Sequence, residues 1–332
     1  MRCGRAVLAA IGAAALAWGT GVDCAGCHPT ETKLHEQTRM AHAMVAAGES
    51  AFGKNLPEQP LREPAGGYAV LYKMSPFGSI GVRAERGGDH AEGQINWVMG
   101  AGEQGQTPLV ERGETTLESH VSYFPKLGRF GITIGQEGGA SPSAEAALGA
   151  KQSGQAVRAC IGCHATGVTQ DLQPVIPGVQ CARCHAGAPE HAVTKGPVGN
   201  PGRMAAVEQT RFCGACHRDK PPVDEKQLEN VRFQPLRLME SKCFRSGKLA
   251  CTTCHAAHRD ARRNDAAFYN GKCVDCHGGQ PGQRFHTDAR QRGDCIGCHM
   301  PYVELHPALR FTDHDIRVVK TGDYPAGMMR TR

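Results

Sequence analysis

One short pattern, Cys-x-x-Cys-His, occurs seven times in this 332-residue chain: Cys24/Cys27/His28, Cys160/Cys163/His164, Cys181/Cys184/His185, Cys213/Cys216/His217, Cys251/Cys254/His255, Cys273/Cys276/His277 and Cys295/Cys298/His299. It takes up all but two of the 16 cysteines and seven of the 16 histidines. A redox-active dithiol needs the two cysteines but has no use for a fixed fifth residue. Zinc sites draw on two such pairs, or on one pair and two histidines. Neither reading accounts for a histidine at the same position seven times. Covalent haem does, because the two thiols add to the two vinyl groups of one porphyrin and the adjacent imidazole ligates its iron. The sequence therefore predicts seven c-type haems. The aromatic share of only 5% agrees, since porphyrin supplies bulk that Phe, Tyr and Trp otherwise give a core.

The motifs also organise the chain. Their starts are separated by 136, 21, 32, 38, 22 and 22 residues, so the first stands apart and six crowd into the second half. With so little chain per motif there, the haems are expected to be the core, wrapped by short helices and loops. Arg2 and Arg5 precede an apolar run over residues 6–18 and a small-residue site at Ala15-Leu16-Ala17. This reads as a Sec-type signal peptide over 1–19, with an uncleaved anchor as the alternative. The run is short for a membrane span, and no other segment is a candidate. A periplasmic or otherwise extracytoplasmic location follows, which suits c-type attachment.

Residues 67–72, 79–83, 95–99 and 130–134 are short runs rich in β-branched and aromatic residues, punctuated by Gly, Pro and Asn. The expected organisation is a signal peptide (1–19), a single-haem segment (20–65), a small β-rich insertion (66–140) and a six-haem domain (141–332). Helices are expected over 144–158 and 224–242. The predicted fold class is mainly α with much irregular loop, in a multihaem cytochrome c arrangement plus the β-rich insertion.

Nine histidines remain for the far sides of seven irons. His258 follows His255 by three residues and is aimed at a neighbouring haem; His191 follows His185 by six. His286 lies between the last two motifs, His306 and His314 follow the last, and His42 is placed to serve a second haem. These six are the expected distal ligands, and Asp313 could orient its neighbouring imidazole or act as a helix cap. His35, His90 and His120 are weaker candidates, with surface or structural hydrogen bonding as the alternative. Sulfur ligation by Met40, Met44, Met204 or Met239 competes with simple packing. Cys3 falls in the signal segment, and Cys243 is a small buried hydrophobe or packs on a porphyrin edge.

CAGCH (24–28) with RMAHA (39–43), VQCARCHAGAPEH (179–191), CTTCHAAH (251–258), GDCIGCHMP (293–301) with FTDH (311–314), VMGAG (98–102) and ESKCF (240–244) resemble multihaem c-type cytochromes. The nearest group is the exported family of the tetrahaem carrier that partners hydroxylamine oxidoreductase; cytochrome c nitrite reductase is more distant. The resemblance implies closely packed haem pairs and distal roles for His42, His191, His258 and His314. Two departures lower the expectation of catalysis: no motif ends in Lys, and no crosslinked catalytic Tyr has a counterpart.

The leading expectation is a carrier of single electrons between redox partner proteins, with a membrane-associated respiratory complex among the partners. The alternatives are a reductase of a small nitrogen oxide or oxyanion with one five-coordinate haem, and a subunit of a larger assembly. The formal charge of +6 is no argument for nucleic acid. Haem propionates and ferric centres together bring the holoprotein to about −1, and to about −3 without the signal peptide.

Overall fold

The computed structural model describes residues 23–220, 228–278 and 294–330. The expected signal peptide and His286 lie outside the described residues. Ten strands precede the second motif: β1 (Met44–Ala46), β2 (Leu61–Arg62), β3 (Ala69–Met74), β4 (Ile80–Arg86), β5 (Asp89–Met99), β6 (Thr107–Arg112), β7 (Thr115–Ser119), β8 (Val121–Phe124), β9 (Arg129–Ile132) and β10 (Gly149–Gln152). Eight form one antiparallel sheet in the order β10-β7-β6-β5-β4-β3-β2, with β1 laid along β5; β8 and β9 pair as a hairpin. The long strand β5 is the spine. β4 pairs with it up to Ile95, and β1 takes over the same edge through Met44↔Met99 and Ala46↔Trp97.

Alternating side chains give the sheet two buried faces. Along β4, Ile80, Val82 and Ala84 are buried while Gly81 is exposed. They join Phe52, Tyr68, Ile95, Val98, Val110 and Leu117 under the short helix Ala144–Leu148. Met44, Met99 and Leu109 point the other way, against Val157, Ile161 and Ala165, with Trp97 and Cys160 packed beside them. Val157 and Ile161 belong to the helix that ends in the second motif, so this face carries a cysteine pair.

The expectation of a mainly α chain is overturned. Among the described residues 35% are helical and 25% are in strands, and the largest element is the eight-stranded sheet. The sheet recruits strands beyond 66–140, because β1, β2 and β10 add backbone pairing that short runs hardly reveal. The helix expected over 144–158 is interrupted by β10. A Cβ on Gly149 would sit 2.1 Å from the carbonyl oxygen of Glu118, so only glycine allows that close approach. Of the spacer expected over 224–242, residues 228–232 form a 3₁₀ turn and Gln234–Glu240 an α-helix; 221–227 lie outside the described residues.

A buried carboxylate fastens the base of the strand run. Glu63 accepts from the Tyr68 amide at 2.9 Å, from the Ser141 amide at 3.2 Å and from the Ser141 hydroxyl, and His120 Nε2 lies 3.4 Å away. Burial pushes its pKa up, but the bonds from Ser141 and Tyr68, with His120 alongside, more than offset this and hold it below the usual carboxylate value. The ionised form therefore stabilises the fold above that range, and its contribution is lost as pH falls through the depressed folded-state value. Glu63→Gln is expected to cost about 1–3 kcal/mol in urea unfolding at neutral pH. The gap to wild type should close in acid, where the native carboxyl is itself protonated.

Candidate functional site

Spacing explains how each motif is presented. Residues i, i+3 and i+4 share one face of a helical turn, so both thiols and the imidazole lie on the same side of the backbone. Helices are numbered α1 (Pro29–Glu36), α2 (Ala51–Lys54), α3 (Ala144–Leu148), α4 (Gly154–His164), α5 (Cys181–Cys184), α6 (Ala188–Thr194), α7 (Ala206–His217), α8 (Gln234–Glu240), α9 (Lys242–Arg245), α10 (Cys251–Cys254), α11 (Ala266–His277) and α12 (Cys295–His299). The second, fourth, sixth and seventh motifs close α4, α7, α11 and α12, while the third and fifth cysteine pairs are the one-turn helices α5 and α10. The first is a turn leading into α1, with the His28 amide donating to the Cys24 carbonyl at 2.8 Å.

All seven motifs open onto one cavity of about 2820 Å³. A pocket for one small ligand spans roughly 300–1,000 Å³, so this space suits several large groups in contact. Two of the fourteen motif cysteines do not face it. Cys298 does not line the cavity and is exposed, although Cys295 and His299 of the same motif do line it. The reason is the way α12 is seated. Its buried side chain is Ile296, and a residue two positions further on lies about 200° round the helix, which turns Cys298 outward. Cys160 is also absent from the lining, because it follows Val157 by three residues and packs with it against the sheet.

No disulfide joins the described cysteines, and among the described residues no three His, Cys, Asp or Glu converge as a zinc site requires. The imidazoles come instead in facing pairs. His28 faces His191 with ring centres 6.3 Å apart, His185 faces His258 at 6.0 Å, and His255 faces His314 at 6.3 Å. A first-row metal holds an imidazole nitrogen at about 2 Å with the ring centre roughly 1 Å beyond, so two imidazoles on opposite sides of one ion sit about 6 Å apart. Each pair joins a motif histidine to a non-motif histidine, which is the donor set of a haem iron with two axial ligands.

Hydrogen bonds set the tautomers. A carbonyl can only accept, so Nδ1 carries the proton in His164 (to Ala43, 2.9 Å), His185 (to Gly199, 2.9 Å), His191 (to Gly196, 2.5 Å), His299 (to Arg317, 2.7 Å) and His314 (to Thr312, 2.9 Å). Nε2 is thereby left with its lone pair for a metal. Burial, joined by His164, depresses the pKa of His217; burial and His217 do the same for His255. For His258 the causes are burial, His185 and His35. All three favour the neutral, ligating form.

Neighbouring motifs lie close to one another. Cys24 interacts with Cys181, Cys163 with Cys216, Cys213 with Cys251, and Cys273 with Cys295. Cys184 interacts with Cys216, and Cys273 with Cys254, at longer range. The first motif, isolated in sequence, thus adjoins the third, and the fourth borders the second, third and fifth. Arg183, inside the third motif, donates to the Gly162 carbonyl at 3.1 Å and to Cys216 Sγ at 3.8 Å, stitching three motifs together. Cys243 lines the cavity near Cys273 and Cys276.

His191, His258 and His314 line the cavity, whereas His42 and His306 do not. His42 is exposed and its Nε2 donates to the Glu36 carbonyl at 2.8 Å. His306 accepts the Ala308 amide at Nδ1, which puts its proton on Nε2, and packs on Phe124. His90 is exposed on β5 and His120 belongs to the Glu63 cluster. His35, a weak candidate in the sequence, lines the cavity, buried, with Nε2 on the Val179 carbonyl at 2.8 Å. Its spacing of seven from His28, two turns along one helix face, is the signal that could have found it. Arg183 has no such signal, being an unspecified position of the motif.

A family model described as cytochrome c7 and related cytochrome c matches residues 166–232, and one described as cytochrome c554 and c-prime matches residues 134–186. They imply covalently bound c-type haem and redox partners. No curated protein matches the sequence. The fold is similar to that of the outer cell wall cytochrome OcwA, at 15% identity and a TM-score of 0.53 over 92% of this chain and 81% of that one. Together these support a multihaem c-type cytochrome. Among the described residues no helix is long and apolar enough to cross a membrane.

Arg183→Gln keeps every cysteine and histidine while removing the guanidinium between three motifs. It is expected to cost about 1–3 kcal/mol of stability, with haem content by pyridine haemochrome unchanged.

Proposed function

We propose that this chain is an exported heptahaem c-type cytochrome that relays single electrons between redox partner proteins outside the cytoplasm. The observation that carries the reading is the single cavity, onto which all seven motifs open and in which three histidine pairs stand at the separation of two axial ligands. The family match over residues 134–186 and the motifs shared with the tetrahaem carrier family support kinship with that group. The basic and apolar start of the sequence, and the cell-wall location named for OcwA, favour an extracytoplasmic site.

Bound haem supplies one-electron redox chemistry. The protein's part is to attach, ligate and space. Each cysteine pair would hold a haem by thioether bonds, and the histidine beside it would ligate the iron. His191, His258 and His314 would ligate the irons carried by His28, His185 and His255, which would close those sites to small ligands. Backbone carbonyls on Nδ1 strengthen His185, His191 and His314 as donors. The cysteine neighbours would order the haems as first, third, fourth, fifth, sixth and seventh, with the second branching from the fourth.

A second reading, a reductase of a small oxyanion or nitrogen oxide, draws on the loop after β5. Gly100, Glu103, Gln104 and Gly105 wall the cavity, and Gln104 Oε1 is buried with no hydrogen-bond partner among the described residues.

Pyridine haemochrome quantitation should return seven haems per chain. Low-temperature EPR of the oxidised His258→Ala protein should show one low-spin iron converted to high spin, at unchanged haem content. An unaltered spectrum removes His258 from the axial set. In wild type, a stoichiometric high-spin haem that binds nitrite or hydroxylamine would overturn the carrier reading in favour of the reductase.

A further inference from the structure

His314 lines the cavity from a C-terminal segment. It follows β12 (Leu309–Thr312) of a small sheet with β11 (Tyr302–His306) and β13 (Met329–Arg330), and its own ring makes a backbone bond to Thr312. The neighbouring Asp313 is fully buried, and its carboxylate is held by several donors. Arg237 on α8 donates Nε to Oδ1 at 2.9 Å and Nη2 to Oδ2 at 2.9 Å, a two-pronged pair between segments 76 residues apart in sequence.

The rest of the cluster completes the frame. Tyr324 donates its hydroxyl to Asp313, and Arg317 approaches Oδ2 at 3.3 Å. The Asp315 amide donates to Oδ1 at 3.0 Å, and the Asp313 amide donates to the Pro301 carbonyl at 3.0 Å. Glu240 and Asp315 also pair with Arg237. Both carboxylate oxygens and the backbone amide of Asp313 are thus fixed, leaving the next residue little freedom of direction. Among the described residues, Arg237 is the donor that reaches this carboxylate from another part of the fold; Tyr324, Arg317 and Asp315 belong to the same C-terminal segment.

We propose that Arg237 is a positioning residue, which through its paired bonds to Asp313 aims His314 at the iron carried by His255. The inference rests on the proposed pairing of His255 with His314. The guanidinium fork is specific to the role, because an ammonium offers charge without two parallel bonds in one plane. A buried carboxylate deprived of that partner pulls its turn toward other donors or water, and the imidazole beside it swings away from the metal.

The test uses the intact, haem-loaded protein and three variants: His314→Ala, Arg237→Gln and Arg237→Lys. Low-temperature EPR of His314→Ala should lose one low-spin signal and gain high-spin iron, which identifies the site. Arg237→Gln should lose part of that same signal, with haem content unchanged, and added imidazole should restore it. Arg237→Lys should give a smaller loss, and it covers the case in which the glutamine variant fails to fold. Loss of the signal in His314→Ala with wild-type intensity and g-values in the folded Arg237 variants overturns the positioning role. A lower unfolding temperature with that signal intact is the mark of a merely structural pair and overturns it too. An unchanged spectrum in His314→Ala overturns the ligation reading, and the proposal with it.

Discussion

The structure depends on a local constraint applied seven times: the Cys-x-x-Cys-His spacing puts two thiols and an imidazole on one turn of the backbone. All seven motifs open onto a common space, even where their helices also pack on polypeptide, as α4 does on the sheet. Ordinary packing is displaced to the periphery, above all to the eight-stranded sheet, whose two buried clusters hold much of the buried apolar side-chain bulk.

The sheet does more than add mass. Its second face receives α4, so the second motif is mounted on a surface fixed by long-range strand pairing. Through β1, the chain that follows the first motif is pinned to the end of β5. Around the C-terminal turn that bears His314, ion pairs take over: Arg237, Asp313 and Arg317 hold it in place. Apolar burial and charge pairing thus serve the same purpose in two places, each where the local sequence allows it.

The motif turns are legible in the sequence, because the fixed Cys-x-x-Cys-His spacing places its residues on one turn. Which way each turn is rotated is not, since that depends on what its other residues bury. Ile296 turns Cys298 to solvent, and Val157 and Ile161 draw Cys160 to the sheet. Distal partners were legible only in part. His191 and His258 sit close in sequence to one motif but face another, and His314 is distant from the motif it faces; pairings of this kind are set by tertiary packing. His42 looked equally suitable, yet its Nε2 found the carbonyl of Glu36 six residues back. The balance of strand and helix is hidden in the sequence for a related reason. Two- and three-residue strands such as β1 and β2 have no periodicity of their own, and they become strands only when β5 and β3 offer edges. Arg183 and Arg237 were invisible because nothing distinguishes a bridging arginine from a solvated one until its partners are known.

The three histidine pairs also overlap along the chain. The loop from His28 to His191 contains His185, the loop from His185 to His258 contains His191, and the loop from His255 to His314 opens before His258 closes the one preceding it. Once each pair shares an iron, the polypeptide is cross-linked as a series of interlocked rings. Closing each ring removes disorder from the unfolded chain, as a disulfide does. Because consecutive rings share residues, releasing one axial bond slackens the next. Such a chain would resist local fraying between His28 and His314, and it would come apart as one unit.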